Sequence, residues 1–432
     1  MPPLGTARGR RAHGTHPMVP ATDTNLQART RLPKLAISTM AIYSVPQSSE
    51  QPPSCPKVFL GMYGWCQGAR RLEKALAGVA DVSLQIVSNH SEIITNLCPG
   101  AVVHAPAENL GRLVKTWART HGKDFDPPSD GKDDFALATM NKLQTLGFTG
   151  FDALLFSDND LMLLGEDDNA TTIAEVRAAW SHRLPTFLAD GQAELLGAPD
   201  WSAPINAGLW LVKPSAALYQ AALGVLRRNQ WSVAEGYDLV GRPTSFFGGI
   251  NAHCNHPEAL FGSQWFVNDD WHCVGCGTDQ GLLFYIPHVL RHGAYRQSDG
   301  CPAPEMGYCS ANNRTWGHTV KHWWAHPKPW ELPEDSLHTR LEYFESLDLN
   351  ETALSGPLGP TNGIEHACFD VLRAQLQTAR RDRANETAHG EIHITTPYTQ
   401  HVWEMALMAT QAQGQTNRTF RTTSHYSRRG LF

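Results

Sequence analysis

Short apolar runs alternate along this chain with stretches in which apolar residues recur every three or four positions. That alternation predicts βαβ units and a mainly parallel sheet. Residues 58–63 read as a first strand, 82–87 as a second and 102–105 as a short third. Helical spacing appears over 70–80 and from about 110 to 120. A charged loop bearing Pro and Gly covers 123–134, and 135–146 reads as a helix leading into the apolar run 151–157. The run 205–212 is a further buried strand, stopped at Lys213 and Pro214 because proline cannot continue a ladder. Ser215 then caps a helix that runs to about Arg228. Residues 236–275 are irregular, aromatic and rich in Gly and His, which marks a functional loop or an insertion. Another helix or strand opens at Thr278, and helices are expected over 336–347, 365–383 and 402–411 ahead of a basic tail.

This pattern divides the chain into three zones. Residues 1–56 are rich in Pro, Ser, Thr and Arg, poor in acids and without period, the composition of a disordered or targeting leader. Residues 34–45 within it are the nearest approach to a signal-type apolar core, though short and interrupted by Ser and Thr. The catalytic domain is expected over 57–335, with 236–275 inserted, and a helical extension over 336–432.

Composition narrows the function classes. The 432 residues suffice for one large domain or two ordinary ones. With 41% hydrophobic and 18% charged residues the chain is globular, and a formal net charge of -6 argues against a nucleic-acid binder. No stretch approaches the ~20 consecutive apolar residues of a membrane span. Cys254, Cys273, Cys276, Cys301 and Cys309 crowd one region near His253, His256 and His272. A zinc site, disulfides in an oxidising lumen and unpaired thiols all fit that crowding, although only one C-x-x-C is present. Glycosylation sequons start at Asn89, Asn169, Asn313, Asn350, Asn385 and Asn417, which tilts the compartment towards a secretory or Golgi lumen over the cytoplasm.

The chemistry concentrates just past the run 151–157, at Asp158 and Asp160. Two carboxylates flanking one residue at the end of a buried strand suit a divalent cation, and such a cation can hold a diphosphate. Ligands of open α/β sheets collect at the carboxyl ends of strands. A solvated acidic turn is the plainer alternative for the motif taken alone.

Three downstream segments give the acidic pair its context: Asn206, Ala207 and Gly208 followed by Pro214 and Ser215; Asp279, Gln280 and Gly281; and His322 with Lys328, Pro329 and Trp330. In this order, with Lys142 and Leu143 ahead of the acids, they resemble the glycogenin-like retaining glycosyltransferases of family 8. The resemblance covers about 135–330. It implies an α/β fold of the GT-A nucleotide-diphospho-sugar transferase type, with a mainly parallel central sheet flanked by helices. It departs at Trp323 and Ala325, at Ser157 where the family often has Leu, and in a long gap between Asn206 and Asp279. With 58–63 as the first strand, the family's Thr-rich opening is also missing.

The resemblance implies a metal-dependent transferase moving a hexose from a UDP-sugar to a hydroxyl on a carbohydrate or glycoconjugate acceptor, with retention. Asp158, Asp160 and His322 would hold Mn²⁺, with Mg²⁺ as the alternative, the imidazole favouring manganese. Lys328 would set an ammonium on the leaving phosphate. Lys142, Asp158, Asn206, Ala207, Gly208 and Gln280 would bind nucleotide and sugar. Asp279 would stand near the anomeric carbon, stabilising an oxocarbenium or orienting the sugar; front-face attack is the other route to retention. Trp201, Trp231, Trp265, Trp271, Trp323, Trp324 and Trp330 could line an acceptor groove or serve as packing. The rival readings are a GT-A protein of another family and a protein that binds or hydrolyses nucleotide sugars without transfer.

Overall fold

A computed structural model describes residues 31–42, 57–121, 139–164, 170–197, 205–240, 271, 276–291, 295–297, 321–322 and the single positions 374, 377, 378 and 381. Its centre is a seven-stranded sheet. The strands are β1 (Lys34–Ala41), β2 (Asp81–Ser88), β3 (Val102–His104), β4 (Ala153–Ser157), β6 (Leu195–Gly197), β7 (Leu209–Val212) and β10 (Tyr295–Gln297). They lie in the order β10-β6-β7-β4-β1-β2-β3. Only β7 runs against the rest, pairing antiparallel with both β4 and β6. Two small antiparallel pairs stand outside this sheet: β5 (Leu161–Met162) with β11 (Lys321–His322), and β8 (Trp231–Ser232) with β9 (Gly236–Tyr237).

Side chains of period two send each strand's residues alternately to two apolar layers. Leu35, Ile37, Leu155 and Leu211 face a mostly aliphatic layer under α1 (Lys57–Ala75), α2 (Ser91–Leu97) and α4 (Ala170–Ala189). Ala36, Leu154, Phe156, Trp210 and Val212 face the other layer. That layer holds α3 (Glu108–His121), a 3₁₀ turn (Asn141–Gly147), α5 (Ala216–Arg228) and α6 (Asp279–Phe284), which runs on into a π-turn (Tyr285–Leu290). Phe156 stacks on Trp210 with centroids 5.0 Å apart, tying β4 to its reversed neighbour. Ser215 caps α5 by accepting from the Leu218 N–H at 3.1 Å. Among the described residues no helix is long and apolar enough to cross a membrane.

Two expectations at the start of the chain are corrected. Residues 58–63 are not a strand but the opening of α1. Buried Met62, Trp65, Cys66, Ala69, Leu72, Ala75 and Leu76 recur every three or four positions, and a six-residue window is too short to show that period. The first strand is β1, inside the segment read as a leader, so the boundary near 56 moves back at least to Lys34. Ser38 and Thr39 broke the apolar run in sequence, yet both are fully buried in the middle of the sheet. A strand covered on both faces reads as a near-continuous apolar run, which is why it passed for a signal core.

β2, β3, β4, β7, α3, α5 and α6 fall near their expected places, whereas α2, α4, β6 and β10 were not foreseen. The helix expected over 135–146 is described from residue 139 and tightens to the 3₁₀ turn at Asn141. Within 365–383, positions 374, 377, 378 and 381 are helical; the other C-terminal helices lie outside the described residues. So does most of the insertion, at 241–270 and 272–275.

Candidate functional site

The reversed strand explains why two distant motifs meet. Because β7 is antiparallel to β4, its start lies beside the end of β4, with Ser157 opposite Leu209. Asp158 therefore follows β4 on the same rim where Asn206, Ala207 and Gly208 precede β7. The Asp158 N–H donates to the Gly208 carbonyl at 2.8 Å, and the Gly208 N–H donates to Asn206 Oδ1 at 2.7 Å. A methyl group at Gly208 would stand 2.8 Å from Asn206 Oδ1 and 3.0 Å from Asp158 Oδ2. The glycine keeps these two polar groups in contact with the turn.

The third motif arrives through α6. Gln280 Oε1 accepts from the Ala207 N–H at 3.1 Å. Gly281 is needed for the approach itself, since a Cβ there would fall 1.8 Å from the Cys276 carbonyl oxygen. Tyr237 fixes the same loop from outside, its hydroxyl donating to the Cys276 and Thr278 carbonyls at 2.6 and 2.9 Å. Trp117 donates to the Gly277 carbonyl at 2.9 Å.

Lys142 joins all three segments. Its Nζ lies 3.1 Å from Asp158 Oδ1, 2.7 Å from Asp279 Oδ2 and 3.1 Å from the Ala207 carbonyl. An ammonium has three N–H groups, and these three oxygens account for them. The lysine side chain is 2% exposed, against 34% for Asp158 and 10% for Asp279. Burial pushes the lysine down, but Asp158 and Asp279 outweigh it and hold its pKa well above the ordinary value. Burial raises Asp158, Lys142 opposes that rise, and the charges of Asp160 and Asp279 add to it. Asp279 Oδ1 also accepts from the Thr278 hydroxyl at 3.1 Å. In this structure the Lys142 donors meet protein oxygens beneath the rim.

Asp160 is half-buried two residues beyond Asp158, in the turn between β4 and β5. The pairing of β5 with β11 places the His322 backbone opposite Leu161, the residue after Asp160. The His322 side chain, and Lys328, Pro329 and Trp330, lie outside what is described. Of the tryptophans considered for an acceptor groove, Trp231 and Trp271 are buried in the aromatic layer with Tyr237, which makes them packing; the other five lie outside the described residues. Tyr63 is core as well.

Sequence reasoning missed several participants. Trp65 donates its indole N–H to Ser157 Oγ at 2.7 Å in the interior, one residue before Asp158. The signal was Ser157 itself, a hydroxyl where an apolar residue was expected. Cys66 is bridged to Cys98, a pair outside the cysteine-rich region, and Cys276 is also disulfide-bonded, which removes it as a zinc ligand.

No family model matches the chain, and no curated protein does. Among solved structures it is similar to the galactosyltransferase LgtC in complex with donor and acceptor sugar analogs, at 13% identity and a TM-score of 0.32, covering 72% of this chain and 96% of that one. It is also similar to mouse xyloside xylosyltransferase 1 in its apo form, at 12% identity and a TM-score of 0.28, covering 61% and 84%. At these scores neither likeness assigns an activity to this chain.

Proposed function

We propose that this chain is a metal-dependent, retaining glycosyltransferase of GT-A type, moving a hexose from a UDP-sugar to a hydroxyl of a carbohydrate or glycoconjugate. The observation that carries the reading is the Lys142 ammonium, which binds one oxygen from each of three motifs that the sequence keeps far apart. A solvated acidic turn has no reason to be tied from below to Ala207 and Asp279.

The donor set is the argument for a cation. Asp158 is the part-exposed member of the buried trio; burial first, then the charges of Asp160 and Asp279, raise its carboxyl against the pull of Lys142, and a divalent ion would relieve the repulsion among the acids. Asp158 and Asp160 offer hard oxygens, and the β5–β11 pairing brings the His322 backbone to the same turn. Bound there, Mn²⁺ or Mg²⁺ would act as a Lewis acid for the charge that builds on a departing diphosphate. The chain's own residues then have separate tasks. Lys142 holds Asp158 and Asp279 at a fixed separation. Asn206 and Gln280 shape the turn at Ala207 and Gly208 through their side-chain oxygens. Both oxygens of Asp279 are engaged, by Lys142 and by Thr278, which favours a role in holding charge near the sugar over covalent attack on it. Lys328 is assigned to the leaving phosphate on the resemblance alone.

We favour a secretory lumen over the cytoplasm as its compartment. The Cys66–Cys98 bridge and the exposed sequon asparagine Asn89 support that placement. The deciding experiment incubates purified protein with a panel of UDP-sugars, acceptors and Mn²⁺ and measures UDP release. Release that needs both acceptor and metal is expected. Full turnover in strong chelator removes the cation from the reading, and release at the same rate without acceptor makes the protein a hydrolase.

A further inference from the structure

Helix α1 touches the acid-bearing segment at both of its ends. Trp65, one and a half turns before Arg71, donates to Ser157 just ahead of Asp158. Arg71 donates from Nη1 to the Leu164 carbonyl at 3.4 Å, just after β5. Between those two points lie Asp158 and Asp160. On the opposite side, Asp158 is pinned by its main-chain N–H to Gly208. The helix is itself fixed: Cys66, the neighbour of Trp65, is bridged to Cys98 at the end of α2.

We propose that α1 is a clamp on the acidic turn, in which Trp65, acting through Ser157, is a positioning residue for the Asp158 and Asp160 carboxylates. The proposal rests on the reading of those carboxylates as cation ligands and adds what aims them. A buried indole N–H needs some acceptor, and a main-chain carbonyl would serve as well. Here the acceptor is the side chain immediately before Asp158. The indole and the hydroxyl are thus two halves of one device. Groups that orient a metal ligand without touching the metal typically change affinity by about 10–100-fold when removed.

The test titrates the full-length protein with Mn²⁺ alone, reading free Mn²⁺ by electron paramagnetic resonance. Trp65→Phe keeps the ring and removes the donor; Ser157→Ala removes the acceptor. Each is expected to weaken Mn²⁺ binding about tenfold, and the double variant no more than the weaker single, since both remove the same bond. Ser88→Ala is the control. It deletes another buried hydroxyl bond, from Ser88 to the Ala41 carbonyl at 2.6 Å, on the same rim but away from the acids. It should lower Tm comparably and leave Mn²⁺ affinity unchanged. Singles that bind like wild type, or a control that weakens binding equally, overturn the clamp and leave the site reading intact. Wild-type protein that binds no Mn²⁺ overturns the site reading and the clamp together. Should Trp65→Phe fail to fold by circular dichroism, Ser157→Ala decides.

Discussion

Lys142 and Arg228 each neutralise a carboxylate in the aromatic half of the molecule, and the better-made pair is the less important one. Arg228 grips Asp238 with two parallel bonds, Nε at 2.7 Å and Nη2 at 2.6 Å, and Asp238 also accepts from the Tyr285 hydroxyl at 2.8 Å. Lys142 has longer bonds to Asp158 and no fork. Yet Arg228 is 46% exposed and Lys142 is 2% exposed. Water reaches the guanidinium, and Asp238, though 12% exposed, keeps the Tyr285 hydroxyl as a donor. The buried ammonium serves two carboxylates at once, and Asp279, 10% exposed, has little water to replace it. Burial, more than bond geometry, decides what breaking an ion pair costs.

Lys142→Met tests that contrast hardest. It keeps the side chain's bulk and strands Asp158 and Asp279 without their cation. Removing one partner of a buried pair costs about 3–5 kcal/mol, so urea denaturation should lose stability on that scale and glycosyl transfer should vanish. A loss below about 1 kcal/mol, the range of exposed pairs, would mean that water reaches the trio.

Gly208→Ala probes the same cluster without changing any charge. The new methyl would press on Asn206 Oδ1 and Asp158 Oδ2. If the proposed site is right, shifting Asp158 by about 1 Å is expected to lower kcat/KM by about a hundredfold with a modest change in Tm. Equal kcat/KM in the variant would show that the turn can move without consequence. At the rim, Arg228→Met should cost about 1 kcal/mol or less. That loss should shrink as salt is raised, because the pair is screened. A loss like that of Lys142→Met would break the comparison outright.

What was legible in advance divides local patterns from long-range pairing. The strand ending at Ser157 and the cap at Ser215 were readable because each is a local pattern: a continuous apolar run, and a hydroxyl ahead of a helical period. The motif residues at Asp158, Asn206 to Gly208, and Asp279 to Gln280 were readable as separate segments; that they meet in space is visible only in their contacts. The partner of Lys142 was not readable, because a lysine on a helical stretch looks the same whether it faces water or an acid across 16 and 137 residues of chain. Nor was β1, since Ser38 and Thr39 look like interruptions until two helical layers cover them. Long-range pairing of polar groups leaves no period in a sequence.

His104 and His288 offer the mildest test of how this interior treats charge. Burial holds both imidazoles below the ordinary histidine value of 6.5. His104 sits against Phe148 with centroids 4.5 Å apart and shares a 2.7 Å hydrogen bond with Gln85 Oε1, and His288 packs against Phe284 at 4.7 Å. Burial is the cause of the shift in both rings, whereas Lys142 is held charged by two carboxylates. A lowered histidine pKa means that the unfolded chain binds the proton first. Stability should then be level above neutrality and fall as pH drops through about 6.5 towards the folded values. Lys142 contributes nothing in that window, because its carboxylates keep it charged throughout. Replacing His104 or His288 with Leu should flatten the decline in Tm between pH 7 and pH 5, each by a part. If the slope is unchanged in both variants, the acid sensitivity lies elsewhere, and a neutral ring costs this interior no more than a paired ammonium does.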